Sequence, residues 1–227
     1  MIALAEVAIL SGTATLLLAR WLRGHLNYYI HPRYSLLVVA AALLLLLLAL
    51  VQLRALIDGS RGRPGWGYLL LATPLLLGTL IPARPLGADT LAARGIELNR
   101  TLDGSRVAQL TDDTRRWTLL DWGSALSVQG EALRGAPADI IGFVFHDQAL
   151  GRDAFYAVRY VVTCCAADGA GVGLPVVWSS GAALPKDSWV RVTGSIDWID
   201  VAGVEQPALR ADSVEPIAEP DDPYLYP

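Results

Sequence analysis

The stretch from Phe155 to Val176 reads FYAVRYVVTCCAADGAGVGLPV. Its first part is aromatic and β-branched, the composition of a strand. It ends in Cys164 and Cys165, the only two cysteines of the chain, followed by Asp168 and a glycine-rich turn. Side chains alternate along a strand, so Tyr156, Val158, Tyr160, Val162 and Cys164 share one face. Phe155, Ala157, Arg159, Val161, Thr163 and Cys165 share the other. The first face carries no charge and is expected to point inward, which makes Cys164 a buried thiol and leaves Cys165 on the polar side. If the strand ends at Thr163, the turn instead brings both sulfurs and Asp168 to one point.

Working outward, further strand-like runs occur at Ala138–His146, Gly173–Trp178, Ser188–Val201 and Gln206–Val214. Glycines inside two of them predict a bend or bulge. A short helix with a preceding turn is expected between Trp117 and Leu133. Short strands at this spacing fit a small Greek-key sandwich or barrel. The V-x-G-x-I pattern of Val192–Ile196, after Trp189, points towards a five-stranded OB-like β-barrel. The β-rich domain is expected over residues 115–215. A linker over 86–114, with a helical turn near Thr90–Arg94, precedes it. The tail, 216–227, is rich in proline and acids and is expected to be poorly ordered.

The N-terminal part has another character. The chain has 227 residues, 53% of them hydrophobic, with a mean hydropathy of +0.41. The apolar excess lies within residues 1–85, read as a transmembrane region with spans at about 2–19, 34–53 and 66–82. The second contains LLVVAAALLLLLLALV, and about twenty such residues cross roughly 30 Å of hydrocarbon. Trp66 and Tyr68, and Trp21, Tyr28, Tyr29 and Tyr34, are candidate interfacial anchors. No A-x-A-like cleavage site follows the first run, which is therefore read as retained. Glu6 is expected to reach water from near the N-terminus. Residues 1–81 carry six arginines against Glu6 and Asp58, a balance of +4. Residues 82–227 carry eleven arginines and Lys186 against twenty acids, a balance of −8. Arginine counting leans towards a cytoplasmic C-terminal domain but leaves the side open. The acidic C-terminal part argues against nucleic-acid binding.

Three chemistries compete for Cys164, Cys165 and Asp168. They can hold zinc or another transition metal, with His146 completing the shell. They can act as a vicinal dithiol, helped if Arg159 lowers a thiolate pKa. Or the cysteines pack as small apolar residues while Asp168 builds a turn. His25 and His31 flank NYYI in a short loop, where ligation competes with an ordinary interfacial role. An enzyme is not expected. GAGVG lacks the lysine and strand–loop–helix setting of a phosphate loop, there is no G-x-S-x-G elbow, and one histidine in the C-terminal half argues against a serine–histidine–acid triad.

Five segments carry a family resemblance: YIHPR (Tyr29–Arg33), LIPARPL (Leu80–Leu86), ARGIELN (Ala93–Asn99), GFVFHD (Gly142–Asp147) and RYVVTCCAADGAGVGLPV (Arg159–Val176). Together they resemble the YcgQ-like family of bacterial membrane proteins, described as permease subunits and usually encoded beside a YcgR-like polytopic permease. The likeness covers most of residues 20–200, and CCAAD is its most specific part. It implies a non-enzymatic accessory subunit in the bacterial inner membrane, multi-pass, with an OB-like C-terminal domain. Its implied partners are the lipid bilayer and a YcgR-like permease. For some relatives it implies a link to zinc or other metal homeostasis. Relatives often carry a histidine-rich stretch between the second and third spans, where this chain has RALIDGSRGRPG. Cys164, Cys165, Asp168 and His31 remain as the positions that match the family's pattern for metal.

Overall fold

The structure, a computed structural model, describes residues 2–59, 67–95 and 110–227. It divides into two compact units, Met1–Pro85 and Leu86–Pro227.

The first unit contains helices α1 (Ile2–Leu22), α2 (Ser35–Ile57) and α3 (Gly67–Leu80). The loop after α1 is short and carries 3₁₀ turns at His25–Tyr28 and Pro32–Tyr34. α1 packs against both α2 and α3. Leu75 of α3 lies over Gly12, and Leu16 of α1 lies over Gly78, so the two helices run in the same direction. Arg20 donates from Nη2 to the Gly78 carbonyl at 2.7 Å, satisfying an acceptor in the last turn of α3. A charge counted for orientation thus also serves as a helix cap.

Among the described residues, two helices are long and apolar enough to cross a bilayer, Leu4–Leu22 and Pro32–Ile57. The expected third span is represented by α3, whose 14 residues reach roughly 21 Å at about 1.5 Å each. That is shorter than a hydrocarbon core, and the expected anchor Trp66 lies outside the described residues. Pro82 and Pro85 follow closely on the end of α3 at Leu80, where proline cannot continue a helix. Large side chains of α2 such as Leu36, Leu37, Leu43 and Leu44 face outward. Such a surface suits lipid as its solvent. Glu6 is 6% exposed and lies buried within the unit, contrary to the expectation that it reaches water.

The second unit starts with α4 (Ala88–Arg94) and α5 (Leu119–Gln129). α5 begins in a capping box: Thr118 Oγ1 accepts the Asp121 N–H at 3.3 Å, and the Asp121 carboxylate accepts the Thr118 N–H at 2.9 Å. Six strands follow: β1 (Pro137–Phe145), β2 (Ala154–Val161), β3 (Ala170–Val177), β4 (Trp189–Val201), β5 (Val204–Ile217) and β6 (Tyr224–Leu225). They form one sheet in the order β1-β4-β5-β3-β2-β6, and β1 also pairs with β2. The register of β4 on β5 shifts between Thr193 and Gly194, the bulge that the strand-interior glycine predicts.

The core has two parts. Phe155, Ala157 and Val161 of β2 join the larger one, with Trp122, Ile140, Val144, Leu174, Val192 and Leu209. Tyr156, Val158, Tyr160 and Val162 join a smaller one with Ala88, Leu91, Phe143, Trp189 and Tyr224. The sequence reading placed the charge-free face of β2 in the main interior. The structure reverses this, because α4 and β6 cover that face and bury both sides of the strand. The tail is likewise ordered where disorder is expected. β5 runs to Ile217, β6 pairs in parallel with β2, and Tyr224 and Leu225 are buried.

Candidate metal centre

The centre is built at the C-terminal end of β2. Pairing stops at Val161, and the next amide, Val162 N–H, is taken by the Leu225 carbonyl at 3.0 Å. From there Asp168 organises the chain. Its Oδ1 accepts the Thr163 N–H at 3.0 Å. Its Oδ2 accepts Cys164 N–H at 2.7 Å and Cys165 N–H at 3.4 Å. The Asp168 amide returns a bond to the Cys165 carbonyl at 3.0 Å, closing a 3₁₀ turn over Ala166–Asp168. A carboxylate gathering successive amides offers the backbone an alternative to the strand ladder.

This turn decides where the thiols go. Alternation along a continuing strand would send them to opposite faces, with Cys164 buried. Instead Cys164 is exposed, Cys165 is half-buried, and their sulfurs lie 3.6 Å apart. One ligand atom from each of Cys164, Cys165 and Asp168 falls within 4.8 Å of the others. The chain leaves the strand after Val161, two residues before the end at Thr163 on which the sequence makes a common point depend, and the turn brings the three groups together.

Asp168 and Cys164 shape each other's protonation. Burial pushes the Asp168 carboxyl up, but the bond from the Cys164 thiol and the three amide bonds outweigh it and hold it below its ordinary range. The Cys164 thiol is pushed up to about 12, first by its bond to Asp168, then by its bond to Cys165 and by burial. This thiol stays protonated at neutral pH.

Other expected contributors lie elsewhere. His31 belongs to the first unit, where its Nδ1 accepts the Arg33 N–H at 3.1 Å and caps a 3₁₀ turn. His146 pairs its Nε2 with the Leu184 carbonyl at 2.9 Å and is not among the clustered ligand atoms. Arg159 does not serve the thiols. It donates to the carbonyls of Asp222, Pro223 and Tyr224, and desolvation lowers its pKa. His25 stacks on Tyr28.

One contributor is invisible in the sequence pattern. Arg94, at the end of α4, donates from Nη1 to the carbonyls of Gly169 at 3.0 Å and Ala166 at 3.3 Å. It thereby holds the back of the loop. Arg94, Gly95, Asp168, Gly169 and Gly171 are among the residues lining a shallow cleft of about 260 Å³ there. The glycine-rich run makes room for α4: a Cβ at Gly171 would lie 2.2 Å from Leu91 Cδ1. No local spacing pairs Arg94 with residues some 75 positions away.

Two family models match the chain in order. The DUF1980 N-terminal domain matches residues 5–97, and the DUF1980 C-terminal domain matches residues 99–227. A Streptococcus mutans serotype c protein, named as a two-component membrane permease complex subunit, is 23% identical over 265 aligned positions. That alignment covers 96% of this chain and 97% of the relative. The UPF0703 protein YcgQ of Bacillus subtilis is 23% identical over 132 positions, covering 57% of this chain and 45% of that protein. No solved structure matches the chain.

Proposed function

The chain belongs to the DUF1980 family, and on that premise we propose that it is a non-enzymatic accessory subunit of a bacterial membrane permease. The observation that carries this is the near end-to-end alignment with a relative named as a two-component permease complex subunit. The first unit docks, in this reading, against a YcgR-like polytopic permease in the inner membrane and crosses the bilayer three times. Support for the third crossing comes from the common direction of α1 and α3, with Arg20 bonded to the last turn of α3. The second unit is an OB-like barrel, a reading supported by the β1–β2 pairing that returns the sheet to its first strand. Copurification tests the assignment. The tagged chain, solubilised from membranes of its own host, is expected to retain a polytopic permease in defined stoichiometry. Recovery of the chain alone from mild detergent overturns it.

A second reading has its own observation. The clustering of Cys164, Cys165 and Asp168 within 4.8 Å favours a metal-binding or thiol-redox role for the second unit, exercised within the same assembly. His31 enters it only as a separate ligand in the first unit. Metal content of the full chain, against Cys164→Ser and Cys165→Ser, tests it together with thiol titration in defined redox buffers. A pair that neither retains an ion nor cycles removes this reading and leaves the permease assignment standing.

A further inference from the structure

The second reading above names a site without choosing its chemistry, and the inference drawn here rests on it. We propose that Cys164 and Cys165 are joint thiolate ligands of one tetrahedral divalent ion of the zinc class, with Asp168 beside them and a coordination position open to exchange.

The spacing of the sulfurs carries the choice. They are 3.6 Å apart in the resting loop. With zinc–thiolate bonds of about 2.3 Å, that separation corresponds to a sulfur–metal–sulfur angle of roughly 103°, close to tetrahedral. A linear two-thiolate ion with bonds of similar length needs its sulfurs about 4.6 Å apart, so the pair would have to open by about 1 Å. A disulfide needs them to close to about 2.05 Å inside an eight-membered ring and requires an oxidant to accept two electrons. The resting geometry is therefore nearest to one ligand class.

Charge and access point the same way. Replacing the protons of both thiols would set three negative groups within 4.8 Å of one another, a repulsion that a cation among them relieves. Asp168 already accepts three amide bonds as well as the bond from the Cys164 thiol, so little of its acceptor capacity is left over. Its main work is to aim the sulfurs. Structural zinc sites close with four protein ligands. Here the cluster offers three ligand atoms among the described residues, and Cys164 is exposed. Such a site takes up and releases its ion, as delivery or sensing requires.

The test uses the full chain in detergent, reduced and stripped with a chelator, then titrated with Co²⁺ as a spectroscopic stand-in. The expected result is one equivalent with tetrahedral d–d bands and thiolate-to-cobalt charge transfer, displaced by Zn²⁺. Cys164→Ser and Cys165→Ser should each cut the charge transfer to about half and weaken binding about 100-fold or more. Circular dichroism of both variants checks that the fold is retained. Absence of thiolate charge transfer overturns the proposal, as does binding that survives both substitutions or that occurs only with monovalent copper. A reversible thiol–disulfide cycle without any cobalt signal overturns it while sparing the broader second reading. Failure of copurification bears on the permease assignment alone.

Discussion

Two segments meet the same end of β2 and hold it by opposite means. The loop from Thr163 to Asp168 is exposed or half-buried at every residue, and one carboxylate binds three of its amides. The tail around Tyr224 and Leu225 is sealed by burial and by its carbonyl bonds from Arg159. Tyr224 is 2% exposed and packs edge-on against Tyr160, and its hydroxyl accepts the Leu86 N–H at 2.8 Å. The difference teaches that stability and reactivity are separated here. The tail fixes the strand end, and the loop is free to present sulfur to solvent.

The largest effect expected from this comparison is in the tail. Tyr224→Ala removes a buried ring and a hydrogen bond, and should cost about 3 kcal/mol in chemical denaturation of the second unit's signal. Cys164→Ser and Cys165→Ser should leave that transition unmoved. Equal losses from the tail and thiol variants would erase the distinction. Asp168→Ala comes next. Its three amides lose their acceptor, but water reaches them, so the expected loss is about 1 kcal/mol. The more telling readout is bridging of the two thiols by a bifunctional trivalent arsenical, which should slow sharply as the sulfurs separate. Bridging at the wild-type rate would show that Asp168 does not set their spacing.

These contrasts also mark what the sequence could convey. Strand positions, the short helix α5 and the two long apolar helices follow from alternation, composition and hydropathy, all of them local. The inward face of β2 was not legible, because alternation distinguishes faces only when one is solvated. Here α4 and β6 cover the second face, and the buried run Ala154–Val158 is continuous. The end of β2 is not legible for a similar reason. VVT continues the strand composition, and only Asp168, several residues on, supplies competing acceptors. The tail looked disordered by its acids and prolines, although Tyr224, Leu225 and Tyr226 provide enough apolar surface to dock it.

Alkali should distinguish the segments next. Burial and then the Asp222 charge push the Tyr226 hydroxyl up to about 12, and burial raises Tyr156 and Tyr160 as well. Each folded-state pKa lies above the unfolded value of about 10. Their contribution is therefore fully present below pH 10 and is lost as pH rises from there through about 12 for Tyr226. Half-burial discounts the size to about 1 kcal/mol. Phenolate absorbance and the unfolding midpoint, followed together, should move over this window. An unfolding midpoint that stays level across it would mean that the tail's tyrosines titrate as in an open chain.

The smallest expected effect concerns Arg94. Its side chain is exposed, and its two bonds end on carbonyls that water can also serve. Arg94→Ala should therefore shift global stability by about 0.5 kcal/mol or less. Locally it should matter more, because the Gly169 and Ala166 carbonyls lose the cation that pins the back of the loop. Amide exchange at Ala166–Gly171 should quicken in the variant, while the Val162 amide, held by Leu225, keeps its protection. If both loosen together, the loop and the tail form one cooperative unit. If only the loop responds, α4 acts on the sulfur-bearing turn independently of the seal made by the tail, and movement at the start of this unit can reach the thiols without unfolding it.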